Sequence, residues 1–139
     1  MKIIAFFCLL FLAAACTEEP KEEIKELEES AEQLEEYKNG IYTKYYPGKK
    51  KIQIRGAQDP NKVRDGKWVL LSPTGKEMSV TYFEKGLREG YSFVKHPTGT
   101  MNYYGEYLHD QQIGIWKYYD DKGNFLREEN YGTDGKIIQ

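Results

Sequence analysis

Three segments of this chain line up at a fixed step of 24 residues, opened by Gly66-Lys67-Trp68, Gly90-Tyr91-Ser92 and Gly114-Ile115-Trp116. Nine residues after each opening glycine stands another, Gly75, Gly99 and Gly123, and eight further on an aromatic, Phe83, Tyr107 and Tyr131. A register held over three copies without an insertion marks a repeat architecture. Each unit of such a chain buries its apolar side mainly against its neighbours in sequence. The glycines also fix where the chain must turn. Ser72-Pro73-Thr74-Gly75, His96-Pro97-Thr98-Gly99 and Asp120-Asp121-Lys122-Gly123 read as hairpin loops with glycine in the left-handed position. Lys85-Gly86, His109-Asp110 and Thr133-Asp134-Gly135 mark the return turns.

Between these turns lie short runs rich in aromatic and β-branched residues: Lys67 to Leu71, Met78 to Phe83, Tyr103 to Tyr107 and Ile115 to Tyr119. They predict strands, two per repeat. A degenerate first copy begins at Gly40, with its surplus residues in the turn-rich stretch Ala57 to Asn61. The expectation is a mainly β chain: an antiparallel hairpin meander of about four repeats and about eight strands over residues 40–139.

Gly-Lys-Trp-Val-Leu-Leu-Ser-Pro-Thr-Gly-Lys at 66–76 and Gly-Ile-Trp-Lys-Tyr-Tyr-Asp-Asp-Lys-Gly-Asn at 114–124 resemble the MORN-repeat variant. Its repeats run approximately Gly-x-Trp-x-x-Tyr-x-x-x-Gly. The third copy departs from the pattern with Ser92 at the tryptophan position, and the first has Tyr42 there. The resemblance implies an elongated run of β-hairpins used for scaffolding and protein contact, with no catalytic residues. Some bacterial members carry an antitoxin-like label.

The in-phase aromatics Trp68, Phe83, Tyr107, Trp116 and Tyr131 are expected to pack repeat against repeat as the core. Tyr91, Tyr103, Tyr104, Tyr118 and Tyr119 form a second set. Neighbours on a strand point to opposite faces, so Tyr103/Tyr104 and Tyr118/Tyr119 cannot share one side. At least one aromatic row is therefore expected to be partly exposed, as a candidate interaction surface.

The N-terminus carries a different signal. Met1-Lys2, the apolar run Ile3 to Leu12, and Ala13-Ala14-Ala15 before Cys16 compose a secretory signal over residues 1–15. The small residues ending in cysteine resemble a bacterial lipobox, although Ala13 holds a place usually taken by leucine. The resemblance implies that Cys16 is acylated and becomes the first mature residue, anchoring the chain to the bilayer at the outer membrane. Cys8 is lost with the signal, so the mature chain is expected to have no disulfide. Residues 16–23 form an acidic tether, read equally as a surface-export tag or as a solvated spacer on the periplasmic side.

Ile24, Leu27, Ala31 and Leu34 then recur at helical spacing, with Asn39-Gly40 as a stop, which predicts an amphipathic helix over 24–39. It is expected to dock on the repeat domain, to self-associate as a short coiled coil, or to remain a frayed stalk. Charge favours docking: Thr17 to Glu36 carries a net of −8, and Tyr37 to Gln139 a net of +5.

Chemistry is sparse. His96 and His109 sit at turns without a third ligand, so no metal site is expected. Asp120-Asp121 and Glu128-Glu129 read as solvated charge. Ser30, Ser72, Ser79 and Ser92 lie in no nucleophile motif. Lys49-Lys50-Lys51 beside Tyr45-Tyr46 superficially suggests nucleic-acid binding, which an exported chain does not favour. No cofactor is expected. The functional expectation is a membrane-anchored, non-enzymatic module that contacts another protein or serves a structural role. The alternatives are an antitoxin-like or immunity-like binder and an aromatic-sheet carbohydrate or small-ligand binder.

Overall fold

The computed structural model describes residues 34–138. The expected signal sequence over 1–15, the expected tether over 16–23 and most of the expected helix lie outside the described residues.

Nine strands follow one another: β1 (Glu35–Lys38), β2 (Ile41–Tyr45), β3 (Ile52–Gln58), β4 (Arg64–Leu71), β5 (Glu77–Glu84), β6 (Leu87–Lys95), β7 (Met101–Leu108), β8 (Gln111–Tyr119) and β9 (Phe125–Tyr131). Each pairs antiparallel with the next, in one sheet whose spatial order is the sequence order. The meander expected from the sequence is therefore the observed topology. Residues after Gly40 supply eight strands, β2 to β9.

The ninth strand corrects a boundary. Glu35–Lys38, expected as the last turn of the helix, is β1. The Asn39-Gly40 dipeptide, which resembles a helix stop, has φ of 51° and 76°. Positive φ at both central residues makes a hairpin turn whose twist matches that of the strands. Cross-strand pairs then hold the hairpin. Lys44 Nζ lies 2.9 Å from Glu35 Oε1 and the Tyr45 hydroxyl donates to Glu36 at 2.8 Å, while the Tyr37 hydroxyl reaches past β2 to donate to the Gln58 carbonyl of β3 at 2.8 Å.

Two kinds of turn alternate along the sheet. Lys85-Gly86 and His109-Asp110 are two-residue turns with positive φ throughout. At the other end, Gly75, Gly99 and Gly123 take φ of 83°, 94° and 88°. Each donates its N–H to a carbonyl three residues back, Ser72, His96 and Asp120. The Asp120 carboxylate also accepts from the Lys122 and Asn124 N–H groups. Hydrogen bonds from Asn124 are the main cause holding that carboxyl below the ordinary aspartate range.

Gly66, Gly90 and Gly114 play a part the repeat pattern alone did not assign. They lie inside β4, β6 and β8, not at the openings of strands, with φ of 64°, 71° and 63°. Each sits at a register shift against the preceding strand. The step of 24 residues thus places one left-handed bulge in every second strand. The strands run through these bulges and are longer than the apolar runs predicted.

Burial is confined to a strip along the middle of the sheet. Among the described residues, Trp116, Trp68 and Val80 are the buried hydrophobic ones, at 1%, 6% and 3% exposure, joined by the polar Ser92 and Thr43.

Candidate functional site

One face of the sheet is organised by Trp68 and Trp116. Each indole lies over a glycine on the preceding strand. A Cβ built on Gly56 would fall 2.3 Å from Trp68 Cδ2, and one on Gly105 would fall 2.3 Å from Trp116 Cδ2. The glycines are therefore seats for the rings. Each indole N–H reaches a nearby carbonyl, Trp68 to Ala57 at 2.8 Å and Trp116 to Glu106 at 3.2 Å. In the middle copy Thr81 takes the glycine position and Ser92 the tryptophan position. Their hydroxyls hydrogen-bond at 3.0 Å, and Ser92 also donates to the Val80 carbonyl. The departure at Ser92 is thus matched by a departure at its partner.

The remaining in-phase aromatics join this face. Phe83 meets Trp68 edge-on at 6.2 Å and Tyr107 meets Trp116 edge-on at 4.9 Å. The Tyr131 hydroxyl donates to Glu129, and its pKa is raised by burial and by that carboxylate. Two members of the expected exposed set belong here as well: Tyr103 packs on Trp116 at 5.9 Å and on Tyr118 at 6.1 Å. Arginines lie over these rings. Arg64 stands 4.3 Å from the Trp68 ring centre, Arg88 4.1 Å from Tyr107, and Arg127 3.9 Å from Tyr118.

The other three members fall on the opposite face. Tyr91 packs against Phe93 and Tyr104, Tyr104 stacks on Tyr119 at 6.1 Å, and Tyr119 meets Phe125 at 5.8 Å. The strand parity that separated Tyr103 from Tyr104 and Tyr118 from Tyr119 is realised in these contacts. Tyr91 is 44% exposed, and Tyr82, Ile115 and Phe125 are exposed too. Burial and the neighbouring Tyr104 push the Tyr91 pKa up.

At the N-terminal end, the tryptophan face opens into a groove of about 570 Å³. Tyr42 and Trp68 stack at 5.6 Å on its floor, with Ile54 beside them. Glu35, Lys44, Lys62 and Arg64 supply charge around it. Burial and the Glu35 carboxylate push Tyr42 up to about 12, and Lys44 holds Glu35 below the usual carboxylate range. Sequence reading missed this groove. A signal for it exists in the repeat alignment: Arg64 and Arg88 are equivalent, but the partner position has Gly86 in one copy and Asp110 in the next.

The other candidates are not brought together. His96 and His109 occupy turns at opposite ends of β7, and His96 Nε2 hydrogen-bonds the Tyr119 carbonyl. Among the described residues no three metal-ligating side chains cluster. Ser72 bonds Thr74 within its own turn; Ser30 lies outside the described residues. Glu129 pairs with Arg127 at 2.9 Å, which lowers its pKa. Lys49-Lys50-Lys51 are exposed in the turn between β2 and β3, with the Lys49 ammonium 5.9 Å from the Tyr45 ring centre.

The arrangement defines a single-layer, bulged β-meander with an aromatic row on each face. No protein-family model and no curated protein matches the chain. Among solved structures it is similar to a mutant of S. aureus TarM, described as in complex with fondaparinux, α-GlcNAc-glycerol and UDP. That likeness has 12% identity and a TM-score of 0.41, covering 86% of this chain and 24% of the other. A similarity so distant carries no argument about function.

Proposed function

We propose that the chain is a lipid-anchored, non-enzymatic contact module of the MORN-variant kind. In this reading acylated Cys16 holds it at the outer membrane, and the repeat sheet presents a surface to another protein. The observation that supports it most is the row Tyr91, Phe93, Tyr104, Tyr119 and Phe125 on the face opposite the tryptophans. Tyrosine and phenylalanine offer large contact area for little side-chain entropy and are enriched at protein interfaces. Exposed apolar area grouped in this way marks interaction surfaces on soluble domains. Tyr82 and Ile115, on the same side by strand parity, are exposed as well. Ala13-Ala14-Ala15-Cys16 supports the anchor, whose acyl chains contribute ~0.8 kcal/mol per buried methylene.

Two variants test the reading separately. Cys16→Ser should abolish acyl labelling in cells, and unchanged labelling would refute the anchor. Tyr91→Glu combined with Tyr119→Glu places charge on the aromatic row. Affinity capture from the native membrane should retain a stoichiometric protein with the parent chain and lose it with this variant, the thermal melt staying close to the parent's. The same partner held equally by both would place the contact elsewhere.

A further inference from the structure

Arg64 differs from the other arginines that lie over the tryptophan face. Arg88 Nε is 2.7 Å from Asp110 Oδ1, with a second bond from its Nη2 to the Asp110 carbonyl at 3.1 Å. Arg127 is held by Glu129. Arg64 makes no ion pair among the described residues. Its counterpart of Asp110 is Gly86, 24 residues earlier and likewise second in a two-residue turn. The guanidinium is nonetheless held in place, because it lies over the Trp68 ring and 5.3 Å from the Phe83 ring centre. A guanidinium in contact with aromatic rings still has N–H donors to offer a carboxylate, which it binds best through two of them at once. Lys62, on the loop above, brings a second cation without an ion pair among the described residues, in the same groove as Arg64.

The geometry points to a carboxylate-binding groove headed by Arg64, and its occupant is the chain's own acidic segment, residues 17–33. That segment holds eight glutamates against two lysines. It leads directly into Leu34, whose carbonyl accepts from the Tyr45 N–H at 2.7 Å, and then into Glu35, Glu36 and Tyr37, which line the groove. A segment joined at the wall of a site is present at an effective concentration on the order of millimolar. The segment's composition suits the groove: its glutamates match the charge of Arg64 and Lys62, and its sequence also holds the apolar Ile24, Leu27 and Ala31. The missing acid at position 86 is then replaced by one from outside the sheet. This inference concerns the opposite face from the proposed contact row and does not depend on it.

Carbodiimide coupling of the full chain in detergent tests it. The reagent joins a carboxylate to an amine in direct contact. Peptide mapping should find a glutamate of residues 18–32 linked to Lys62, and mixed light and heavy isotopic chains should show the link within one chain. Arg64→Gln should lower its yield about tenfold, the effect of losing a charge-assisted pair. Arg64→Lys should retain much of it. Gly86→Asp gives Arg64 the partner that Arg88 has and should lower the yield without removing the arginine, so the test stands even if Arg64→Gln disturbs the sheet. No Lys62 link in the parent chain, parental yields in both Arg64→Gln and Gly86→Asp, or links mainly between light and heavy chains would each overturn the inference, the last in favour of a second copy as occupant.

Discussion

A glycine facing a tryptophan is the smallest unit on which this sheet depends. Gly105 is buried under Trp116, and any side chain there must displace the ring. Gly105→Ala should therefore cost ~1–3 kcal/mol, the usual penalty for overpacking a fitted core. Chemical denaturation measures this, and an unchanged midpoint would mean that the indole shifts freely. The same logic explains Ser92. A tryptophan placed there would meet Thr81 where the other copies have glycine, so Ser92→Trp alone should destabilise by ~1–3 kcal/mol. Thr81→Gly loses the Ser92 bond and gains backbone freedom in the unfolded chain, so it should also destabilise. Combining the two rebuilds the pair seen at Gly56/Trp68. The double variant should be more stable than the single losses add up to, with a coupling of ~0.5–3 kcal/mol. Strict additivity would show that the two sites do not share space. The tryptophan phase was plain in the sequence; the glycine seats were not, because Gly56 and Gly105 lie outside the 24-residue register of the other glycines.

Among the elements, the turns carry the most information and also the boundary that changed an element's type. Asn39-Gly40 suits a helix end and a two-residue hairpin equally, since both use left-handed φ. Cross-strand partners distant in sequence, such as Gln58 for Tyr37, decide between them, and a local pattern cannot contain that information. The hairpin glycines at 75, 99 and 123 were legible because their φ requirement is local. Lys85 sits at φ 48° with its side chain in solvent. Asparagine tolerates that region better than lysine, so Lys85→Asn, which copies Asn39-Gly40, should stabilise by ~0.5–1 kcal/mol. A lower melting temperature would contradict that. The turn at His109-Asp110 adds a pH dependence. Arg88 holds the Asp110 carboxyl below its ordinary value of 3.8. A depressed folded pKa contributes stability above the unfolded value and loses it as pH falls through the folded one. The melting temperature should therefore be level with respect to this group near neutrality and fall below about pH 4. Asp110→Asn should lower the neutral plateau slightly and make the acid decline shallower; an identical decline would assign the acid sensitivity to other carboxylates.

At the level of the whole molecule, each of the nine described strands pairs only with its neighbours in sequence, and nothing in the described residues closes the sheet on itself. Stability in such an array is close to a sum of local terms and nearest-neighbour couplings. The two tryptophans lie in separate parts of it, Trp68 between β3 and β5 and Trp116 between β7 and β9, with the polar Thr81–Ser92 pair between them. Truncating a buried tryptophan costs ~3–5 kcal/mol, a large share of the ~5–15 kcal/mol that keeps a domain of this size folded. Trp116→Ala is thus expected to weaken the sheet strongly, but not evenly. Amide exchange should accelerate most in β7, β8 and β9, where the lost ring held Tyr103 and Tyr107. Amides of β3 and β4 around Trp68 should keep more of their protection, because the Trp68 contacts with Tyr42 and Phe83 are untouched and local opening follows local packing. The reciprocal variant, Trp68→Ala, should reverse the pattern. Uniform loss of protection along the sheet in both variants would show that all nine strands unfold as one unit, with the polar middle copy transmitting the coupling as well as a tryptophan would. A Trp116→Ala chain with parental exchange everywhere would show that the ring is no part of the core, and the in-phase aromatics would then belong to a binding row.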